Sequence, residues 1–273
     1  GYGGRAVDGY VSGATVFYDA NNDGILNDSE VASASVTRVD GSYTLGNFTA
    51  TSNGKIVILP GGIDMNTGES VGMLSAQLGV KGQVVVSSPL TLILSLVPKI
   101  NQDDLKAQLG LTGVPDLITY DPVAQMTATG AGSNRLLAET VFTIQQQLYT
   151  VIQAATIIAG KSAGLAALDT AAKAVGQSIL DALSAGNALT IDSITTSSIN
   201  AVSKASGYSP IFANNISEII KETNAEIVIG YSGYANALAS QSDTATVALL
   251  AAAKAAASSS QELLLSAVQD AIT

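Results

Sequence analysis

Cysteine and histidine are both absent from this 273-residue chain. Without thiols there is no disulfide, no zinc–thiolate centre, no iron–sulfur cluster and no covalently attached haem. Without imidazole the commonest general base and metal ligand is gone as well. Together the two absences exclude most hydrolytic and redox chemistry. Charge is scarce too. Only 12% of residues are charged, about half the usual share, so Ser, Thr, Asn and Gly must cover much of the surface. The charge that exists is acidic, with 22 Asp and Glu against 12 Lys and Arg, a net charge of -10 and a pI near 4.3. That balance argues against nucleic-acid binding, because phosphate contacts need clustered cations, and it suits divalent metal ions. No run is long and apolar enough to cross a membrane: the most apolar stretch, residues 84–97, is broken by Ser87, Ser88 and Pro89. The chain opens on Gly1 with no charged-then-apolar leader, so it reads as a soluble, mature or excised product.

Proline is sparse in the second half. Pro60, Pro89, Pro98, Pro115 and Pro122 all precede residue 123 and only Pro210 follows, which sets a strand-and-turn region before a helical one. At 47% apolar content the chain can fill the core of one large or two ordinary domains.

One stretch carries a specific chemical meaning, DANNDGILNDSE at 19–30. Asp19, Asn21, Asp23, Asn27 and Glu30 put oxygens at its first, third, fifth, ninth and twelfth places, and Gly24 is sixth. This is the spacing of an EF-hand calcium loop. Alternate side chains turn inward, Gly24 makes a sharp turn that lets the Ile25 carbonyl face the ion, and Glu30 closes the shell. Calcium is favoured over magnesium because many oxygens on a flexible loop suit the larger ion. An acidic turn between strands uses the same residue types and is the alternative. The flanks are strand-like: Tyr10, Val11, Ala14, Val16 and Tyr18 stand among small residues, and residues 31–39 alternate. A calcium loop between strands acts as a structural clip, since a sensor needs two helices to open.

The remaining strand signals are a turn at Asp40-Gly41 leading into SYTLGNFTA, a short buried strand in NGKIVILP at 53–60, a turn-rich connection at 61–70 and two strands within 72–86. They predict a sandwich of about seven strands. GYGGRAV lies before the first of these and is expected to pair with a neighbouring copy. At Ser88-Pro89 the pattern changes, because a Ser cap followed by Pro starts a helix. Asn101, with Asp103 and Asp104 behind it and Gly110 after it, frames a second short helix, and Asp121-Pro122 repeats the start signal.

From Ser133 the seam Leu137, Val141, Ile144, Leu148, Val151, Ala155, Ile158 predicts a long helix ending at Gly160. A second stripe is Leu165, Leu168, Ala172, Val175 and Ile179, ended by Gly186. Further helices are expected over 192–206, from Ser209-Pro210 to about Ile229, over about 234–257, and after a capping box of Ser258 with Gln261. The fold class is therefore α+β: an N-terminal calcium-binding β-sandwich (1–87), bridging short helices (88–132) and a C-terminal alanine-rich helical bundle (133–273).

At VDGYVSGATVFYDANNDGILNDSE followed by DGSYTL, the chain resembles the β-sandwich modules of large secreted bacterial surface adhesins and matrix proteins. These modules are similar to the calcium-binding B-type repeats of Gram-positive surface proteins and to prealbumin-like domains. GGIDMNTGES at 61–70 and VVVSSPLTLILSLV at 84–97 look like the continuation in such adhesins, where the sandwich passes into an alanine-rich helical region. The resemblance covers about residues 6–98. It implies calcium held by Asp19, Asn21, Asp23, the Ile25 carbonyl and Glu30, and a mechanical or adhesive role outside the cell.

An enzyme would need a constellation of groups, and the choices are few. Ser87-Ser88 lacks a partner base, while Asp103-Asp104 and Asp64 with Glu69 fit a helix start and a turn better than paired catalytic carboxylates. Tyr231 and Tyr234 can stack on sugars, though tyrosines more often pack or sit at interfaces. The expectation is a non-enzymatic, secreted cell-surface protein that binds calcium and self-assembles as a homo-oligomer or polymer, in a filament or a surface layer. The alternative is an adhesin module that takes a host, matrix or carbohydrate ligand.

Overall fold

The computed structural model describes residues 1–128, 134–240 and 246–273. The chain is mixed α+β, strands first and long helices after. It divides into two compact units: residues 1–95 with 115–123, and residues 96–114 with 124–273. The expected boundary between 132 and 133, and the start at Ser133, lie outside the described residues.

The first unit contains β1 (Gly3–Ala6), β2 (Val11–Ser12), β3 (Thr15–Asp19), β4 (Ser35–Val36), β5 (Ser42–Thr44), β6 (Lys55–Ile58), β7 (Ile63–Asp64), β8 (Leu74–Gln77), β9 (Val84–Ser87) and α1 (Pro89–Leu96). A four-stranded sheet runs β4-β3-β6-β8, a three-stranded sheet β5-β1-β9, and β2 pairs with β7. Val16, Phe17 and Tyr18 on β3 and Ile56, Val57 and Ile58 on β6 are all buried. Continuous apolar runs of this kind mark strands covered on both faces.

Three expectations change here. Residues 31–39 form no long strand: a 3-10 turn at Val31–Ser33 is followed only by the short β4, because Ser33 turns its side chain back into the loop neck described below. GYGGRAV is not outside the strands. Its β1 lies in the middle of the three-stranded sheet, antiparallel to β5 and parallel to β9, so its own chain fills both of its edges. Gly4 makes that position accessible, since a Cβ there would stand 2.3 Å from the Tyr43 hydroxyl and 2.4 Å from the Val85 carbonyl. Finally, α1 is part of the core of this unit. Seven of its residues are buried, the Thr91 hydroxyl donates to the Ser75 carbonyl at 2.8 Å, and Ser88 caps its start by accepting from the Thr91 N–H at 3.2 Å. Segment 115–123 is tied in by Asp121, which accepts from Arg5 at 3.2 Å and from the Tyr10 hydroxyl at 2.9 Å.

The second unit is helical. α2 (Gln102–Leu109) follows its sequence signals closely: Asn101 accepts from the Asp104 N–H and Gly110 closes it in the left-handed conformation. After α3 (Pro122–Thr127) come α4 (Arg135–Ala163), α5 (Ala167–Ser184), α6 (Ile191–Ala205), α7 (Pro210–Ser240) and α8 (Thr246–Ile272). The later four all pack against α4. Every residue of α4 from Val141 to Ile152 is buried, so the helix is covered on all sides and not only along its seam. The extra faces are partly polar, and one matched pair crosses to α7: the Gln147 and Asn224 side chains each donate to the other's backbone carbonyl at 3.4 Å.

The last helices differ from the spacing-based reading. α7 continues past Ile229 to Ser240, and α8 runs unbroken through Ser258. Two glycines, Gly230 and Gly233, cost less than the packing of Tyr231 and Tyr234 returns. Gln261, instead of closing a capping box, donates to the Thr150 hydroxyl of α4 at 2.7 Å. Among the described residues no helix is long and apolar enough to cross a membrane.

Tyr43 on β5 provides a pH test of the strand unit. It is fully enclosed, with its hydroxyl 3.2 Å from Ser87 Oγ, and burial pushes it from 10 up to about 12. The folded state thus keeps the proton after the unfolded chain has lost it. The contribution is intact below pH 10 and is lost as pH rises towards 12, at up to ~1.4 kcal/mol per pH unit. Tyr43→Phe should give a shallower alkaline loss of stability, measured by denaturant melts at pH 8 and 11.

Candidate metal centre

β3 ends at Asp19, and the loop begins there. Asp19 is fully buried. Its Oδ1 accepts from the Asp23 N–H at 3.2 Å and its Oδ2 from the Gly24 N–H at 2.8 Å, so the chain curls back over the carboxylate. Gly24 has φ +74° with no neighbour in the way of a Cβ; the turn itself, and not crowding, calls for glycine there. Asp23 accepts from the Ile25 N–H and from the Asn21 amide, both at 2.9 Å. At the far end Glu30 is buried and reaches back to accept from the Ala20 N–H at 2.6 Å and the Asn27 N–H at 3.3 Å.

These contacts bring Asp19, Asp23 and Glu30 together. One oxygen from each lies within 4.8 Å of the others, an arrangement that can hold a metal ion. Burial raises the Asp19 carboxyl above its ordinary value and the nearby Glu30 adds to the shift, while the Gly24 and Asp23 N–H groups and Lys55 pull the other way. A bound cation would favour the ionised form by the same physics.

Of the other three expected ligands, Asn27 has its side-chain oxygen engaged in the turn, while the contacts of Asn21 and Ile25 run through their nitrogens. Asn21 is exposed with its amide on Asp23. Asn27 Oδ1 accepts from the Ser29 N–H at 3.1 Å and the Ser29 hydroxyl at 2.6 Å. The Ile25 side chain is 64% exposed while its N–H faces Asp23.

Two residues of the site carry no signal in the loop spacing. Ser33 is fully buried and closes the neck: its Oγ accepts from the Tyr18 N–H at 2.9 Å and donates to the Glu30 carbonyl at 2.7 Å. Lys55 is also buried. It stands directly opposite Asp19 in the β3–β6 ladder, with Nζ 3.8 Å from Asp19 Oδ2 and a hydrogen bond to Asn22 Oδ1. The hint available in sequence is a charged residue heading an otherwise apolar strand.

Several of the groups weighed for catalysis have structural partners. Ser87 meets Tyr43 and Ser88 caps α1. Asp64 Oδ1 accepts from the Asn66 N–H at 2.8 Å, and Asp103 pairs with Lys106 at 3.3 Å in the first turn of α2. Tyr231 packs edge-on against Phe142, with centroids 5.3 Å apart, and the Tyr234 hydroxyl donates to the Met126 carbonyl at 3.0 Å. Comparison with protein-family models, with curated proteins and with solved structures gives no match to this chain.

The neck is testable by one atom. Ser33→Ala removes the buried acceptor of the Tyr18 N–H and one of two donors to the Glu30 carbonyl, whose bond from the residue-33 N–H at 2.9 Å remains, and it should cost ~1–3 kcal/mol in denaturant melts while leaving the helical unit's far-UV signal intact.

Proposed function

We propose that this chain is a non-enzymatic, secreted structural protein of the cell exterior, stiffened by calcium at the 19–30 loop and assembling with copies of itself into a filament or surface layer. The observation that carries the reading is the convergence of Asp19, Asp23 and Glu30 within 4.8 Å. Three carboxylates that close repel one another unless a cation joins them. A set of oxygen donors suits calcium, with the Ile25 carbonyl, Asn21 and Asn27 completing the shell, Asn27 through a water. Because β3 enters the loop and a 3-10 turn leaves it, the ion clips a sandwich of the two larger sheets and opens no helix pair. Calcium outside cells is plentiful enough to fill even a site with a dissociation constant of ~10⁻⁴–10⁻³ M. A calcium clip also suits a chain with no cysteine for disulfides.

Self-assembly is supported by the low charge content of 12%, since charge is depleted at the buried centres of interfaces. Ile211, Ile229 and Leu263 stand exposed on α7 and α8 and offer contact points. β1 is already used within its own sheet, so copies would meet through other surfaces. The alternative reading, an adhesin module, is favoured by one feature. An open cavity of about 620 Å³ within the helical unit is lined by Thr156, Lys161, Tyr208 and Gln269 beside the apolar Ile157 and Ile272, and an aromatic ring with polar groups near it can take a carbohydrate or peptide ligand.

Calcium should raise the melting temperature, contributing ~2.7 kcal/mol at a free concentration a hundred times the dissociation constant. Asp23→Ala should abolish that increment, and a melting curve indifferent to chelator would sink the calcium reading. For assembly, light scattering with and without calcium decides: growth of large particles supports the subunit reading, and a persistent monomer supports the adhesin module.

A further inference from the structure

We infer that Lys55 is a built-in competitor for the metal: its ammonium shares Asp19 with the ion, lowers the loop's calcium affinity and keeps the ion-free loop folded. The inference rests on the calcium reading above and concerns the regulation of the same site.

β3 and β6 are antiparallel, and Lys55 is paired with Asp19. Residues directly opposite in a ladder share a face of the sheet, so the Lys55 side chain is delivered to the first carboxylate of the loop. It is 3% exposed, and its Nζ is 3.8 Å from Asp19 Oδ2. A second contact holds it there: Nζ donates to Asn22 Oδ1. Asn22 occupies the fourth place of the loop, between Asn21 and Asp23, which the calcium spacing leaves unused, and it has φ 60°, a conformation asparagine tolerates better than most residues. The loop therefore spends an asparagine in an unusual backbone state on an ammonium and not on the ion.

Packing alone does not call for a lysine at this place. The rest of β6 is Ile56, Val57 and Ile58, all buried, and a buried ammonium is costly unless it is paired. Its partner is Asp19, the same buried carboxylate that the metal reading places at the head of the shell. In the ion-free protein the ammonium offsets the charge of Asp19. When a divalent cation joins Asp19, Asp23 and Glu30, the fixed positive charge beside Asp19 repels it. The two effects have one consequence: Lys55 narrows the difference between the ion-free and ion-bound loop. It moves the calcium response to higher concentration, towards the weak range of extracellular modules.

The test is calcium titration by calorimetry on the full chain, with Lys55→Gln and Lys55→Arg beside the wild type. Removing the charge in Lys55→Gln should tighten binding about tenfold or more and lower the melting temperature in chelator. Lys55→Arg, which keeps the charge, should stay within about threefold of the wild type. If the Gln variant is unfolded in chelator, folding on calcium addition is the same result in stronger form, whereas a chain that stays unfolded in calcium overturns the inference. Binding by Lys55→Gln no tighter than wild type, or equal tightening by both variants, also overturns it while the calcium reading stands. A wild type that binds no calcium removes both.

Discussion

Three carboxylates brought within 4.8 Å of one another set the terms for the strand unit. Their mutual repulsion and the burial of Asp19 and Glu30 oppose folding, and the surrounding structure is arranged to offset this. Backbone amides of Ala20, Asp23, Gly24 and Asn27 point at the carboxylate oxygens. Ser33 holds the entering and leaving chains together at the neck. The arrangement depends on β3 and β6 being in register, because that pairing sets both Asp19 and its cationic neighbour Lys55.

A loop braced in this way is preorganised. Amide donors hold its carboxylate oxygens in place with no ion present, which leaves the loop little conformational freedom. It stands at the end of a sheet in which Val16, Phe17 and Tyr18 of β3 and Ile56, Val57 and Ile58 of β6 are all buried, which leaves little freedom for movement.

The helical unit solves a different problem. With few charges available for its surface, it places one helix, α4, inside a ring of others and covers even the glutamines of that helix. Some of the buried polar groups are then matched across helices, as in the Gln147–Asn224 exchange and the Gln261–Thr150 bond. Alanine-rich α8 lies close enough to α4 for that bond because its small side chains keep the helix surfaces near each other.

What the sequence alone made legible is local. The loop spacing at 19–30, the helix starts at Ser88-Pro89, Asn101 and Pro210, and the stop at Gly110 depend on residues a few positions apart, whose backbone preferences act wherever they fall. The seam of α4 was readable for the same reason: its period is a property of one helix. Tertiary structure decided the rest. It placed β1 between β5 and β9, set Lys55 against Asp19, carried α7 and α8 through positions that local signals read as ends, and reduced residues 31–39 to a turn and a two-residue strand. Each of these depends on a partner distant in the chain. Strand register, burial on every face and the choice between continuing and ending a helix are settled by the packing free energy of the assembled core, which no short window of sequence contains.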